Sequence, residues 1–156
     1  MILIGDVPFR ESPSVSFSPP SGVSNGFIKI HACGELAANS GDQKLLIRLN
    51  NSTSSYKSYV LMSGDANAGE RETGGFYLGR NGWNLDATFS LEFTLAINPN
   101  SQKVVGSGNS VFALGDNRIL GYESHGFFVT RDPISQIDIA FTGGVVKGQS
   151  RFYRID

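Results

Sequence analysis

Residues 87–97 read Ala87-Thr-Phe-Ser-Leu-Glu-Phe-Thr-Leu-Ala-Ile97. Ala87, Phe89, Leu91, Phe93, Leu95 and Ile97 alternate with Thr88, Ser90, Glu92, Thr94 and Ala96 across eleven residues. A strict period of two marks a strand with one face in a core. A helix would spread the two phenylalanines around its circumference. Asn98-Pro99-Asn100 follows and predicts a turn.

Shorter runs on either side repeat the pattern. Ile28, Ile30 and Ala32 alternate with Lys29 and His31, in a strand predicted from Phe27 to Cys33. Leu45, Ile47 and Leu49 alternate with Leu46 and Arg48, and Ile137, Ile139 and Phe141 with Gln136, Asp138 and Ala140. Tyr56–Met62 and Gly75–Leu78 read as strands around a polar loop, followed later by Gly126–Thr130 and a closing strand Arg151–Ile155. Gly106-Ser-Gly-Asn109 predicts a hairpin turn between Lys103–Gly106 and Ser110–Leu114, and Gly115-Asp-Asn117 a second one before Arg118. No segment carries a helical apolar stripe. The expectation is an all-β domain, an antiparallel sandwich or jelly-roll-like fold.

Composition agrees. The chain has 156 residues, enough for one domain with its own core. Charged residues make up only 17% and glycine is frequent, at 19 residues, which suits short strands and tight turns better than exposed helices. The formal net charge is -1 and cations are scattered singly, so sequence-independent nucleic-acid binding is disfavoured. No apolar run approaches a membrane span, and the start Met-Ile-Leu-Ile-Gly-Asp does not read as a signal peptide. The single cysteine, Cys33, excludes an internal disulfide and is expected as a small buried hydrophobe in its strand. The sequons at Asn50 and Asn51 read as turn residues.

Residues 1–26 differ from the rest. They hold most of the prolines, and proline removes ladder donors, so they are expected to form an extended arm, or an edge strand at most, before a sandwich domain at 27–156. The apolar residues Ile2, Leu3, Ile4, Val7, Phe9, Val15 and Phe17 must pack on something. Ile2, Ile4, Phe9, Val15 and Phe17 are the candidate anchors to neighbouring subunits.

The chemistry-bearing residues form no convincing catalytic set. His31 falls in a strand and His125 in a glycine-flanked turn, with no nucleophile elbow in the chain. Glu92 and Asp138 are the candidate carboxylates for a glycan hydrolase, but each reads more plainly as an outward-facing strand residue. Asp65, Asn67, Glu70 and Glu72 lie in a loop that could offer oxygen ligands to calcium, without an EF-hand spacing. No cofactor and no metal is expected. The better binding candidates are aromatic: Trp83, in a predicted loop, with Tyr56, Tyr59 and Tyr77 if neighbouring strands bring them together. Such rings stack on sugars or anchor protein interfaces. The plainer alternative places Trp83 as a plug at one end of the fold.

The end of the chain reads Ile134-Ser-Gln-Ile-Asp-Ile-Ala-Phe-Thr-Gly-Gly-Val-Val-Lys-Gly-Gln-Ser-Arg-Phe-Tyr-Arg-Ile155. This resembles the closing strands of a β-sandwich domain found in tailed-bacteriophage virion proteins: an alternating Ile-rich strand, a glycine bend, then a Gly-Ser-Arg-aromatic-Tyr strand. Lys44-Leu-Leu-Ile-Arg-Leu-Asn-Asn51 before Tyr56 is similar to an early strand of the same domain. The resemblance runs from about Ile28 to the end. It departs at Phe152-Tyr-Arg154, where the family has Leu-Tyr-Gly. It implies a non-catalytic virion component that forms oligomers, often trimers, with major capsid or tail proteins as partners. With no fibre shaft in the chain, a capsid decoration (cement, or minor capsid) protein on the particle surface is the expectation. The alternative is a tail or tail-fibre module that recognises host glycans.

Overall fold

The structure is a computed structural model that describes residues 1–39 and 41–156. Twelve strands follow one another: β1 (Ile2–Ser12), β2 (Ser14–Phe17), β3 (Gly26–Ala38), β4 (Lys44–Leu49), β5 (Tyr56–Gly64), β6 (Ala68–Glu72), β7 (Phe76–Arg80), β8 (Ala87–Ile97), β9 (Lys103–Leu114), β10 (Ile119–Val129), β11 (Ile137–Phe141) and β12 (Gly144–Ile155). Among the described residues there is no helix, and so none that could cross a membrane. The chain is therefore all-β. An eight-stranded sheet runs β1-β12-β3-β8-β9-β10-β5-β6 and a four-stranded sheet runs β2-β11-β4-β7. Both sheets are antiparallel throughout.

The strand that opened the sequence reading lies near the middle of the larger sheet. Its odd-numbered residues from Ala87 to Ile97 are buried, while Thr88, Ser90 and Glu92 are exposed. Phe89, Phe93 and Phe112 of this sheet share one core with Ile47, Phe76, Ile139 and Phe141 of the smaller sheet. Rings meet across the layer: Phe76 and Phe93 have centroids 5.2 Å apart, and Phe89 and Phe141 are 5.3 Å apart. Burying each such ring stabilises the fold by about 1.5–3 kcal/mol. Asn98 ends β8 as read, its carbonyl accepting from Ser101 and its side chain from the Asn100 N–H. The second glycine turn is also where it was expected. The Leu114 N–H donates to the Arg118 carbonyl at 2.8 Å, and Asn117 takes a φ of 71°.

Two expectations are corrected. Gly106-Ser-Gly-Asn109 is not a turn but the middle of β9, a continuous twelve-residue strand. Glycine is required there because a Cβ on Gly106 would come within 2.5 Å of the Phe93 ring. The polar loop before Gly74 is largely ladder: β6 pairs with β5 from Ala68 to Glu72. Of the two forms expected for the first 26 residues, the structure shows edge strands. β1 is an edge strand on β12 and β2 an edge strand on β11, so proline sits at sheet margins where a missing donor is tolerated.

Tyr56 ties an early turn to this core. Its hydroxyl accepts from the Leu49 N–H at 2.7 Å, and its ring stacks on Phe128 with centroids 4.5 Å apart. Burial pushes its pKa up to about 12, so it stays a neutral donor and acceptor. Tyr56→Phe should lower unfolding free energy by about 1–3 kcal/mol, because the Leu49 amide is left without its partner. Urea titration of the variant measures this.

Candidate functional site

The inward positions of β9, β10 and β5 are unusually small at one end. Gly106, Gly108 and Ser110 on β9, Ser124 and Gly126 on β10, and Ser58 on β5 all lie on the core side of their strands. Phe93 fills the space beneath Gly106 and Gly108. The outer surface of the eight-stranded sheet carries the complementary feature, an open groove of about 620 Å³. Phe27, Tyr59, Thr94, Val105, His125 and Phe127 line it.

Strand register orders this outer face into rows. One row runs Phe27–Ala96–Val105–Phe127–Lys57 across β3, β8, β9, β10 and β5. The next is Lys29–Thr94–Ser107–His125–Tyr59, then His31–Glu92–Asn109–Glu123–Leu61, then Cys33–Ser90–Val111–Gly121–Ser63. Phe27, Tyr59, Leu61, Val105, Val111, Ile119 and Val129 are all exposed large apolar side chains on this face. Among the described residues the remaining ones are only Met1, Ile2, Leu3 and Trp83.

The aromatic candidates are not brought together. Tyr56 and Tyr77 are buried in the core, at 4% and 1% exposure. Tyr59 is exposed and stacks on His125 at the groove wall, with centroids 6.0 Å apart. Trp83 lies in the segment between β7 and β8 with a φ of 52°, and the Arg118 guanidinium covers one ring face at 3.6 Å. It is 41% exposed and plugs nothing. Of the arm residues, Phe9 and Val15 are buried in the chain's own core, Phe17 stacks on Phe152 at 4.6 Å, and Ile4 packs partly against the core. Their anchoring is intramolecular because β1 and β2 close the margins of the two sheets. Of the five candidate anchors only Ile2 is left largely exposed.

Glu92 and Asp138 point outward from different sheets and form no pair. Glu92 lies 3.8 Å from His31 Nε2 and 3.9 Å from Lys29 Nζ, and Asp138 meets Ser16 and Gln136. His31 on β3 and His125 on β10 lie on one face but three strands apart. Cys33 is exposed, not buried, because it shares a face with Lys29 and His31. Among the described residues no group of three or more His, Cys, Asp or Glu is placed to hold a metal ion. Two of the oxygen ligands weighed for calcium are engaged elsewhere. Asp65 accepts from the Ile119 N–H, and Glu72 accepts from Lys44.

Glu70 belongs to a polar cluster at the open side of the smaller sheet. It accepts from Arg80 Nε at 3.0 Å and from the Tyr77 hydroxyl at 2.5 Å, and Arg80 also donates to Asp42. Burial pushes the Glu70 carboxyl up, but the Arg80 and Tyr77 hydrogen bonds and the nearby cations outweigh it and hold the pKa below the ordinary value. A carboxylate lowered by folding contributes stability that is present above its unfolded pKa, near ~4.3, and lost as pH falls through the folded value. Glu70→Gln should therefore cost about 1–2 kcal/mol at pH 7 and less below about pH 4. Thermal melts of both proteins from pH 7 to pH 3 should converge.

The residues that sequence reading missed are those on the outer face: Phe27, Leu61, Val105, Val111, Ile119, Phe127 and Val129. A signal existed in β9, where Val105 and Val111 are an even number of residues apart and opposite in parity to Val104, Phe112 and Leu114. Reading a turn between them hid it.

No protein-family model matches the chain, and no curated protein matches it. Among solved structures, the chain is similar to CG-16, a homodimeric agglutinin from chicken liver. That likeness covers 86% of this chain and 98% of the other, at 10% identity and a TM-score of 0.31. So distant a likeness carries no argument about ligand or partner.

Proposed function

We propose that the chain is a non-enzymatic structural protein of a tailed-bacteriophage particle, a capsid decoration protein that works by contact through the outer face of its eight-stranded sheet. One observation carries the reading: seven exposed large apolar side chains share that face, and three of them, Phe27, Tyr59 and Val105, line its groove. Scattered apolar residues are ordinary on a surface, but seven of the eleven large exposed ones among the described residues fall on this single face, which marks it as a surface covered in use. The particle context rests on the resemblance of the closing strands to virion domains, and the finer architecture goes with it. On this reading the two sheets form a jelly-roll-like sandwich, with the proline-rich residues 1–26 as an extended arm laid along its margins. The protein resides in the virion and its partners are copies of itself and the major capsid or tail proteins.

Sedimentation with empty shells assembled from major capsid protein tests this. The chain should pellet with shells, and Val105→Glu should remain in the supernatant while melting as the parent does. Failure to pellet with both shells and tail tubes overturns the proposal.

A second reading, a module that binds host glycans, is favoured by the Tyr59–His125 stack on the groove wall beside Thr94, Ser107 and Lys57. A glycan array decides it: binding abolished by Tyr59→Ala but kept by Trp83→Ala supports it, and a blank array removes it.

A further inference from the structure

We infer that the outer face of the eight-stranded sheet is a two-fold interface with a second copy of this chain. The inference rests on the reading of that face as the contact surface and names its partner. The observation behind it is the order of side chains along β5, β9 and β10, which is complementary to itself when reversed.

A two-fold axis lying across the strands, midway between the Ser107 row and the Asn109 row, would set each row against its counterpart on the other side of the axis. Along β10, Val129 would then meet Ile119 of the second copy, Phe127 would meet Gly121, and His125 would meet Glu123. Along β9, Val105 would meet Val111 and Ser107 would meet Asn109. Along β5, Tyr59 would meet Leu61. Large groups fall on small ones or on other apolar groups. Val111 stands 43% exposed between Ser90 and Gly121 of the neighbouring strands, and its counterpart is the groove between Phe27 and Phe127.

Charge follows the same rule. Glu92 would face Thr94, Lys57 would face Ser63, Lys103 would face Ala113, and Lys29 would face His31 beside Glu92. Neither two acids nor two lysines are opposed. Like charges set against each other suppress association, so this arrangement favours self-recognition. The area is sufficient. Five strands at ~4.8 Å spacing and ten residues at ~3.3 Å rise give about 800 Å² per copy. That equals the ~800 Å² per partner of a standard specific interface.

The full chain should sediment as a dimer, twice its 16.8 kDa, at micromolar concentration and above. Val111→Glu should give a folded monomer whose melting midpoint no longer depends on protein concentration. Register is tested by oxidative cross-linking in a Cys33→Ser background. A mixture of Val105→Cys and Val111→Cys chains should form a covalent heterodimer, and neither variant alone should do so. A monomer at 200 µM overturns the inference, as does a dimer or trimer that Val111→Glu leaves intact or in which residues 105 and 111 do not cross-link. The two proposals fail separately. A dimer that ignores shells sinks the particle reading alone, and a monomer that loses shell binding on Val111→Glu sinks the dimer alone.

Discussion

Phe93→Ala is expected to lower the unfolding free energy by about 3–5 kcal/mol, roughly a fifth or more of what a domain of this kind possesses. The ring is 1% exposed, lies against Phe76 of the other sheet, and fills the space that Gly106 and Gly108 leave open. Collapse around the lost ring is restricted, because those neighbours are backbone and cannot extend into the void. The melting midpoint should fall by roughly 6–20 °C. Glu92→Ala, one residue away on the exposed face, should change stability by no more than about 0.5 kcal/mol, since its ion pair with Lys29 is long and solvated. Chemical denaturation of both variants checks the contrast. Equal losses would mean that the strand does not present one face inward and one outward.

Gly108→Ala is expected to cost at least about 3 kcal/mol, the upper end for an overpacked site, although it adds a single methyl group. The new Cβ would collide with the Glu92 carbonyl and lie 2.7 Å from the Phe93 Cα. Both are backbone atoms of the neighbouring strand, so relief requires opening the β8–β9 ladder. Gly69→Ala is the matched control: a Cβ there meets nothing within 4 Å, and the variant should melt at the parental temperature or slightly above. Soluble yield and thermal melts of the two separate a steric requirement for glycine from its effect on chain entropy.

The two substitutions mark the limit of what alternation reveals. The period of two in residues 87–97 was enough to place Phe93 inside and Glu92 outside. It could not say what Phe93 would touch. Gly106 and Gly108 carry the same local signal whether they turn the chain or admit a ring from the next strand, and only pairing with β8 decides between these. The tyrosines were partly legible. Tyr56 and Tyr59 are three residues apart in one strand and so lie on opposite faces, one in the core and one on the groove wall. The same parity assigns Cys33 to the exposed face of Lys29 and His31. Tyr77 was not legible, because all of Phe76–Gly79 in the short β7 is buried.

The amino-acid sequence alone determined that this is an all-β chain, which faces of its longest strand are apolar, and where the turns at Asn98 and Gly115 fall, since each follows from local periodicity or backbone preference. Tertiary structure decided the rest. It placed residues 1–26 along the margins of their own sheets, separated Glu92 from Asp138, and gathered Phe27, Tyr59, Leu61, Val105, Val111, Ile119 and Val129 onto one surface. These residues come from four strands spread over a hundred positions. Nothing local links them, and only the hydrogen-bonded register across β3, β8, β9, β10 and β5 makes them neighbours.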